Sequence, residues 1–326
     1  MVWQVNRLPW PTAWEQLFGR AGALHLEIGF GGGHYLVDLA ARLPESNIAG
    51  VEISNPSIRR AAQKIKAQQL ANVRLMYGDA RSLLWGCCAP ASLDGVYVNF
   101  PDPWPKASHV RRRLINDDFL HLLATRMKPG ARLEIATDHP DYQPWIAEHM
   151  VRTIHFESTT GAVFVTEDLD RPRTKYERQA LEAGVVCHYY KYQRNDIFAE
   201  NLFPTPEEMP MPHTILNVPL NAADIRQDFA PSQGSYDGIN VRLIEMYEST
   251  LQEGLLVEAY VQEEPQAQRV GLVLQPRGDD EWKVAAHELG FPRATEGIHA
   301  AVRHLSEWLV SLHPDAVWVL DNLKEL

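Results

Sequence analysis

The sequence predicts an α/β domain built on a mostly parallel sheet, followed by a smaller α+β domain. Three observations predict it. Short apolar runs alternate with helix-like runs through the first 200 residues, the pattern of a parallel sheet covered by helices. A proline-dense stretch, PTPEEMPMP at residues 204–212, then interrupts the chain. Charge balance changes across that stretch: residues 201–326 hold 8 Lys+Arg against 20 Asp+Glu, whereas residues 1–200 hold 23 against 22. The expected organisation is a domain over 1–203, a linker over 204–212 and an acidic domain over 213–326.

The elements follow in order. Residues 23–28 form an apolar run that ends in a glycine cluster, and 35–42 read as a helix. Residues 47–53 (NIAGVEI) are a second strand, and 56–69 are rich in the helix formers Ala, Lys, Arg and Gln. Residues 73–77 and 93–100 are the third and fourth strands. A helix over 117–127 is stopped by Lys128-Pro129-Gly130, and 132–137 is the fifth strand. Beyond the linker, 255–261, 269–274 and 316–320 read as strands. Residues 295–312 read as a helix, with Ile298, Ala301, Val302, Leu305, Leu309 and Leu312 at helical spacing. Trp282, Trp308 and Trp318 are expected in that domain's core.

Composition excludes several classes. The 326 residues carry 45% hydrophobic and 22% charged side chains, ordinary for a globular chain. Cys87, Cys88 and Cys187 form no CxxC pair, which argues against a disulfide framework and for a reducing compartment. The 13 histidines form no HxxxH or HExxH pair, so no metal is expected. No stretch approaches the roughly 18 apolar residues of a membrane span. The first 20 residues, with Trp3, Trp10 and Trp14, lack a signal-peptide pattern, and a cytoplasmic location is expected.

Chemistry concentrates in the first 200 residues. Glu27-Ile28-Gly29-Phe30-Gly31-Gly32-Gly33 follows the first strand and opens a helix, so a ligand could approach bare backbone. Glu52 ends the second strand, where an acid accepts from ribose hydroxyls. Nicotinamide enzymes share that device. The GxGGG spacing departs from GxGxxG, and Glu27 inside the motif suits the ammonium of a methionine-derived cofactor. Gly78-Asp79-Ala80 follows the third strand, where a carboxylate can accept from an adenine amino group. After the fourth strand comes Asn99-Phe100-Pro101-Asp102-Pro103-Trp104-Pro105-Lys106, a proline-stiffened loop where ligands of open α/β sheets bind. Arg111-Arg112-Arg113 and a second basic group, Arg171-Pro172-Arg173-Thr174-Lys175, suit phosphate contacts.

The strings LEIGFGGG, VEIS, GDAR, NFPDPWPK, RRRL, ATDH and RTKYE closely resemble the bacterial tRNA (guanine-46-N7)-methyltransferase family, over roughly residues 14–194. The resemblance implies a Rossmann-like class I methyltransferase using S-adenosyl-L-methionine on tRNA. It implies cofactor contacts at Glu27, Gly29, Gly31, Gly33, Glu52, Asp79, Ala80, Asn99 and Asp102, with Asp102 as the catalytic candidate. It implies a guanine site of Lys106, Asp138 and Thr174, Lys175, Tyr176 and Glu177, and RNA contacts at Ser108, His109, Val110, Arg111, Arg112 and Arg113. Ala107-Ser108-His109-Val110 replace a more basic run that members often carry, and the segment after about 204 is one the usual member lacks. A methyltransferase for another RNA or an acidic small molecule, a non-catalytic RNA scaffold and a nicotinamide oxidoreductase are the alternatives. The acidic domain shows no motif, and a protein partner or self-association is its expected role.

Overall fold

The computed structural model describes residues 2–207, 209–249, 254–290 and 292–325, without the side chains of Ala107, Arg111, Lys175 and Tyr176. The chain divides into two compact units, Met1–Thr205 and Pro206–Leu326.

The first unit runs β1 (Val2–Gln4), α1 (Trp14–Phe18), β2 (Leu24–Ile28), α2 (His34–Arg42), β3 (Asn47–Glu52), α3 (Asn55–Ala67), β4 (Val73–Tyr77), α4 (Ala80–Ser82), β5 (Leu93–Asn99), α5 (Asp117–Arg126), β6 (Met127–Thr137), α6 (Tyr142–Arg152), β7 (Phe156–Ser158), α7 (Lys175–Glu182) and β8 (His188–Arg194). Its sheet has the order β1-β4-β3-β2-β5-β6-β8-β7. The pairs from β1 to β6 are parallel, and β8 and β7 close the far edge antiparallel. Parallel strands are buried on both faces, and β3 (NIAGVE) is accordingly apolar almost throughout. One face packs on α2 and α3 through Phe30, Leu36, Leu39, Ile58 and Ala61. The other packs on α1, α5 and α6 through Trp14, Phe18, Phe119, Leu123 and Ile146.

The strand order creates the site. From β2 the chain winds outward through β3 and β4, then returns to lay β5 on the other side of β2. The connections leaving β2 and β5 therefore diverge, and a crevice opens above their carboxyl ends. Glu27 and Asn99 stand at that point.

Most expected boundaries hold within two residues. The β6 strand starts at Met127, not 132, because Met127 pairs with Leu93 and the Lys128-Pro129-Gly130 stretch is absorbed as a register shift with Gly130 at φ +79°. The proline-glycine pair bends the strand where it was expected to precede it. Strands β1, β7 and β8 were not legible: the first and second are three residues long, and β8 (HYYKYQR) carries polar residues through its length.

The second unit comprises β9 (His213–Asn217), α8 (Ala222–Gln227), β10 (Ser232–Tyr236), β11 (Ile239–Glu248), β12 (Leu255–Glu263), β13 (Gln266–Pro276), β14 (Glu281–Ala286), α9 (Glu296–Ser311) and β15 (Val317–Asp321). Its antiparallel sheet has the order β10-β11-β12-β13-β14-β9-β15, and α9 packs on one face through Ile298, Val302, Leu305 and Leu309. Trp282 is core and Trp308 packs edge-on against Phe229. Trp318 is not core. It lies on the edge strand β15 and is 38% exposed, because β15 has a neighbour on one side only.

Arg126 holds the end of the first unit. It is 0% exposed and donates from Nε to Leu84 O (2.9 Å), from Nη1 to Asn201 Oδ1 (2.9 Å) and from Nη2 to Phe203 O (2.6 Å). Buried carbonyls without donors cost about 1–3 kcal/mol each. Arg126→Met is therefore expected to destabilise the first unit by roughly 3 kcal/mol. Trp85 reports on this region, since its Nε1 donates to Pro204 O. An unchanged urea midpoint by tryptophan fluorescence would contradict the role.

Candidate active site

Glu27 is the last-but-one residue of β2 and is 1% exposed. Its Oε1 accepts from Asn99 Nδ2 at 2.8 Å, across the crevice between β2 and β5. Its Oε2 is buried and has no hydrogen-bond partner. Burial, partly offset by the Asn99 hydrogen bond and the nearby Arg171 charge, raises its carboxyl to about 8. A buried acceptor held on one side and unfilled on the other fits a cationic ligand group.

The glycine loop sits directly above. Gly29, Gly31 and Gly33 adopt φ values of +68°, +51° and +74°, which only glycine takes without strain. Gly33 is doubly constrained, since a Cβ there would stand 2.6 Å from Ala61 Cβ. Lys64 on α3 clamps the loop by donating to Gly32 O at 2.6 Å, a contact with no signature in the sequence. Glu52, at the end of β3, accepts from Gly31 N (2.9 Å) through Oε2 and from Ile53 N and Ser54 N through Oε1. Its carboxylate is thus oriented by three backbone amides. Asp79 follows β4, the neighbouring strand, and caps α4 by accepting from Ser82 N at 3.0 Å, with Ala80 buried beside it.

The loop after β5 is stiffer than its prolines alone imply. Phe100 (φ +52°) and Trp104 (φ +41°) are non-glycine residues with left-handed backbone, a strained state that surrounding contacts must hold. Phe100 N donates to Ala136 O at 2.8 Å. Trp104 stacks edge-on with His109, and the Arg112 guanidinium lies 5.1 Å from its ring. Asp102 and Lys106 are exposed on this loop, and Asp138 is half-buried after β6.

Some expected residues have other work. Arg113 is not available to RNA: it is 5% exposed, donates from Nε to Pro103 O at 2.8 Å and lies between the Tyr142 and Trp145 rings. It anchors the loop to α6. Ser108 and Arg112 are exposed, and His109 and Val110 half-buried, as a surface contact needs. Thr174 and Glu177 form the capping box of α7, with Glu177 N to Thr174 Oγ1 and Thr174 N to Glu177 Oε2 both at 3.1 Å. Tyr189 OH donates to Glu177 Oε1 at 2.8 Å, so the carboxylate is buried and engaged on both oxygens. The Glu177 side chain therefore holds the start of α7 in place. The side chains of Arg111, Lys175 and Tyr176 lie outside the described residues. Arg171, expected on a basic surface, is buried against Asn99 and Glu177. Among the described residues no cluster of His, Cys, Asp or Glu is arranged to hold a metal.

A switch-point crevice, a positive-φ glycine loop, acids ending three successive strands and a buried carboxylate with an unfilled oxygen define the class: a Rossmann-like S-adenosylmethionine-dependent methyltransferase. Residues 21–189 match a family described as "Putative methyltransferase". The tRNA (guanine-N(7)-)-methyltransferase of Thermus thermophilus is 34% identical over 310 residues, covering 92% of this chain and 93% of that one. The like-named enzyme of Burkholderia cenocepacia is 42% identical over 174 residues, 52% of this chain and 67% of that one. That of Halorhodospira halophila is 40% identical over 180 residues, 55% and 78% respectively. The chain belongs to the tRNA (guanine-N(7)-)-methyltransferase family. The Thermus alignment extends through the second unit, whereas the other two are no longer than the first.

The Glu27 carboxyl gives a pH dependence. With its folded value near 8, well above the ordinary carboxylate range, the folded chain keeps a proton that the unfolded chain releases. Stability from this group is present in acid and is lost as pH rises to about 8. A docked ammonium reverses the preference and ionises Glu27. Calorimetry of cofactor binding at pH 6.5 in buffers of different ionisation enthalpy is expected to read close to one proton released. Glu27→Gln is expected to abolish the release and weaken binding about tenfold or more. Buffer-independent heats in the parent chain would sink the assignment.

Proposed function

We propose that this chain methylates N7 of guanine in tRNA, at position 46 of the variable loop, with S-adenosylmethionine as donor. The observation that carries the reading is the paired arrangement at the switch point: the unfilled, buried Glu27 oxygen on one side and the rigid Phe100–Lys106 loop on the other. The first takes the cofactor's ammonium, and the second presents the acceptor base.

Bound at this site, the cofactor supplies a methyl group on a cationic sulfonium, open to in-line displacement. Guanine N7 offers a lone pair and no proton at neutral pH, so the protein needs no general base. The chain's contribution is positioning, which in intramolecular comparisons is worth several kcal/mol. Gly29, Gly31 and Gly33 admit the cofactor to bare backbone. Glu52 takes the ribose and Asp79 the adenine edge, in orientations preset by their backbone partners. As methylation proceeds, positive charge moves from sulfur onto the purine. Asp102, at the tip of the strained loop, stabilises that charge. Asp138 accepts from guanine N1–H and the 2-amino group, donors that adenine lacks. Lys106, Ser108 and Arg112 supply exposed donors and positive charge to the RNA backbone. The chain acts in the cytoplasm, where tRNA is found.

Methyl transfer to a tRNA transcript is expected to vanish when guanine 46 is replaced by 7-deazaguanine. Asp102→Ala is expected to lower kcat by about 100-fold with cofactor binding little changed, as for loss of one transition-state stabiliser. Asp138→Ala is expected to raise KM and relax the choice of base. Full turnover in the Asp102 variant would remove it from the chemistry, and label retained on the deaza transcript would remove N7.

The acidic second unit has a self-contained core and a charge that repels a polyanion. We assign it a stabilising or protein-binding role outside catalysis. A chain ending at Thr205 is expected to retain tRNA methylation; loss of transfer by a folded truncation would place the second unit in the reaction.

A further inference from the structure

Arg171 occupies a position that neither cofactor binding nor RNA contact accounts for. It is 7% exposed, in the segment leading into α7. Its Nη2 donates to Asn99 Oδ1. Its Nε lies 3.5 Å from Glu177 Oε2 and makes no hydrogen bond. Three rings surround the guanidinium: Tyr35 at 4.9 Å, Tyr189 at 5.4 Å and Phe100 at 6.0 Å. Tyr35 belongs to the helix opened by the glycine loop, Phe100 to the strained loop, and Tyr189 to the strand holding Glu177.

These contacts form one buried polar chain. Glu27 Oε1 accepts from Asn99 Nδ2, Asn99 Oδ1 accepts from Arg171, Arg171 faces Glu177, and Glu177 closes the capping box with Thr174. Asn99 is engaged at both ends of its amide, so a turn that keeps one partner loses the other. Two valences in the chain are unfilled: Glu27 Oε2 and Arg171 Nε. The first is the Glu27 oxygen that Asn99 does not hold. The second lies 3.5 Å from Glu177 Oε2, just beyond the usual N–H···O length of about 3.2 Å.

We propose that Arg171 is a positioning residue that joins the Glu27 carboxyl, through Asn99, to the start of α7, so that cofactor binding orders the guanine-site segment 174–177. The inference rests on the function proposed above. When an ammonium docks, Glu27 changes from a neutral to an ionised acceptor, and the Asn99 bond becomes charge-assisted and shorter. That draws on Asn99 and, through its other end, on Arg171. The planar fork of an arginine meets Asn99 and Glu177 at once; a lysine ammonium at the end of a single stem does not. The linkage must be reciprocal, with RNA tightening cofactor as much as cofactor tightens RNA.

The test uses the full chain. The affinity for a tRNA transcript is measured with and without saturating S-adenosylhomocysteine, and the affinity for S-adenosylhomocysteine with and without tRNA. The parent chain is expected to show about tenfold tightening in both directions. Arg171→Lys is expected to bind each ligand alone within about threefold of the parent and to lose the tightening. A folded Arg171→Lys variant that keeps it, or a parent chain that has none, overturns the proposal. Hydrogen exchange on the parent alone guards against a variant that does not fold: S-adenosylhomocysteine without RNA is expected to protect the amides of residues 174–178. No added protection overturns the linkage. Failure of the functional reading is separate, since it appears as absent methyl transfer to tRNA by the parent, whereas the exchange measurement needs no RNA.

Discussion

The site depends on one hydrogen bond, from Asn99 Nδ2 to Glu27 Oε1 across the gap between β2 and β5. A carboxyl that is 1% exposed is costly to bury without partners. Here one oxygen is held and the other has no hydrogen-bond partner. The strand order places the end of β2 beside the end of β5, where the two connections diverge and leave a crevice. Burial raises the Glu27 carboxyl against the lowering effect of that bond, and the bond orients Asn99. Arg171 donates to the other end of the same amide.

A second constraint is the stiffness of the loop after Asn99. Left-handed Phe100 and Trp104 each store strain of about 1–3 kcal/mol. The compensation is visible: the Phe100 amide bonds β6, Arg113 holds Pro103, and Trp104 stacks between Arg112 and His109. Arg113 is in turn seated on Tyr142 and Trp145, whose polar atoms bond the backbone of Ile115. Fold stability from α6 is thereby converted into a fixed loop geometry beside the crevice.

How much of this was legible in the sequence differs by the kind of signal. The glycine loop and the acids Glu27, Glu52 and Asp79 are local motifs at strand ends, and their positions follow once the alternation of strands and helices is recognised. The central strands were legible because burial on both faces demands continuous apolar runs, as in residues 47–53. Strand β8, which lies between β6 and β7, was not, since HYYKYQR has the composition of a surface. Burial of arginine was equally hidden. Arg113 and Arg171 sit in basic runs that read as phosphate contacts, and nothing adjacent in the chain announces the distant rings and amides that enclose them. The Thr174–Glu177 spacing is a capping box and was readable as one; the family resemblance drew attention to a ligand role instead. Position in the sequence does not tell which of these side chains face inward.

The chemistry explains why so much of the site is scaffold. An acceptor nitrogen that already carries a lone pair and no proton removes the need for a tuned base, so no histidine or strongly perturbed carboxyl need face the reacting atoms. Glu27, whose carboxyl burial raises to about 8, stands at the end of β2 against Asn99. What remains for the protein is to bring two large ligands together in line, and a misplacement of about 1 Å is expensive in such a reaction. The strained loop after Asn99 and the buried polar chain from Glu27 to Glu177 are rigid features of that kind. A cofactor whose departure charge migrates to the base also favours acids near the transferring group over the basic residues that bind RNA. The exposed cations accordingly occupy the outer part of the loop, at Lys106 and Arg112, while carboxylates line the strand ends.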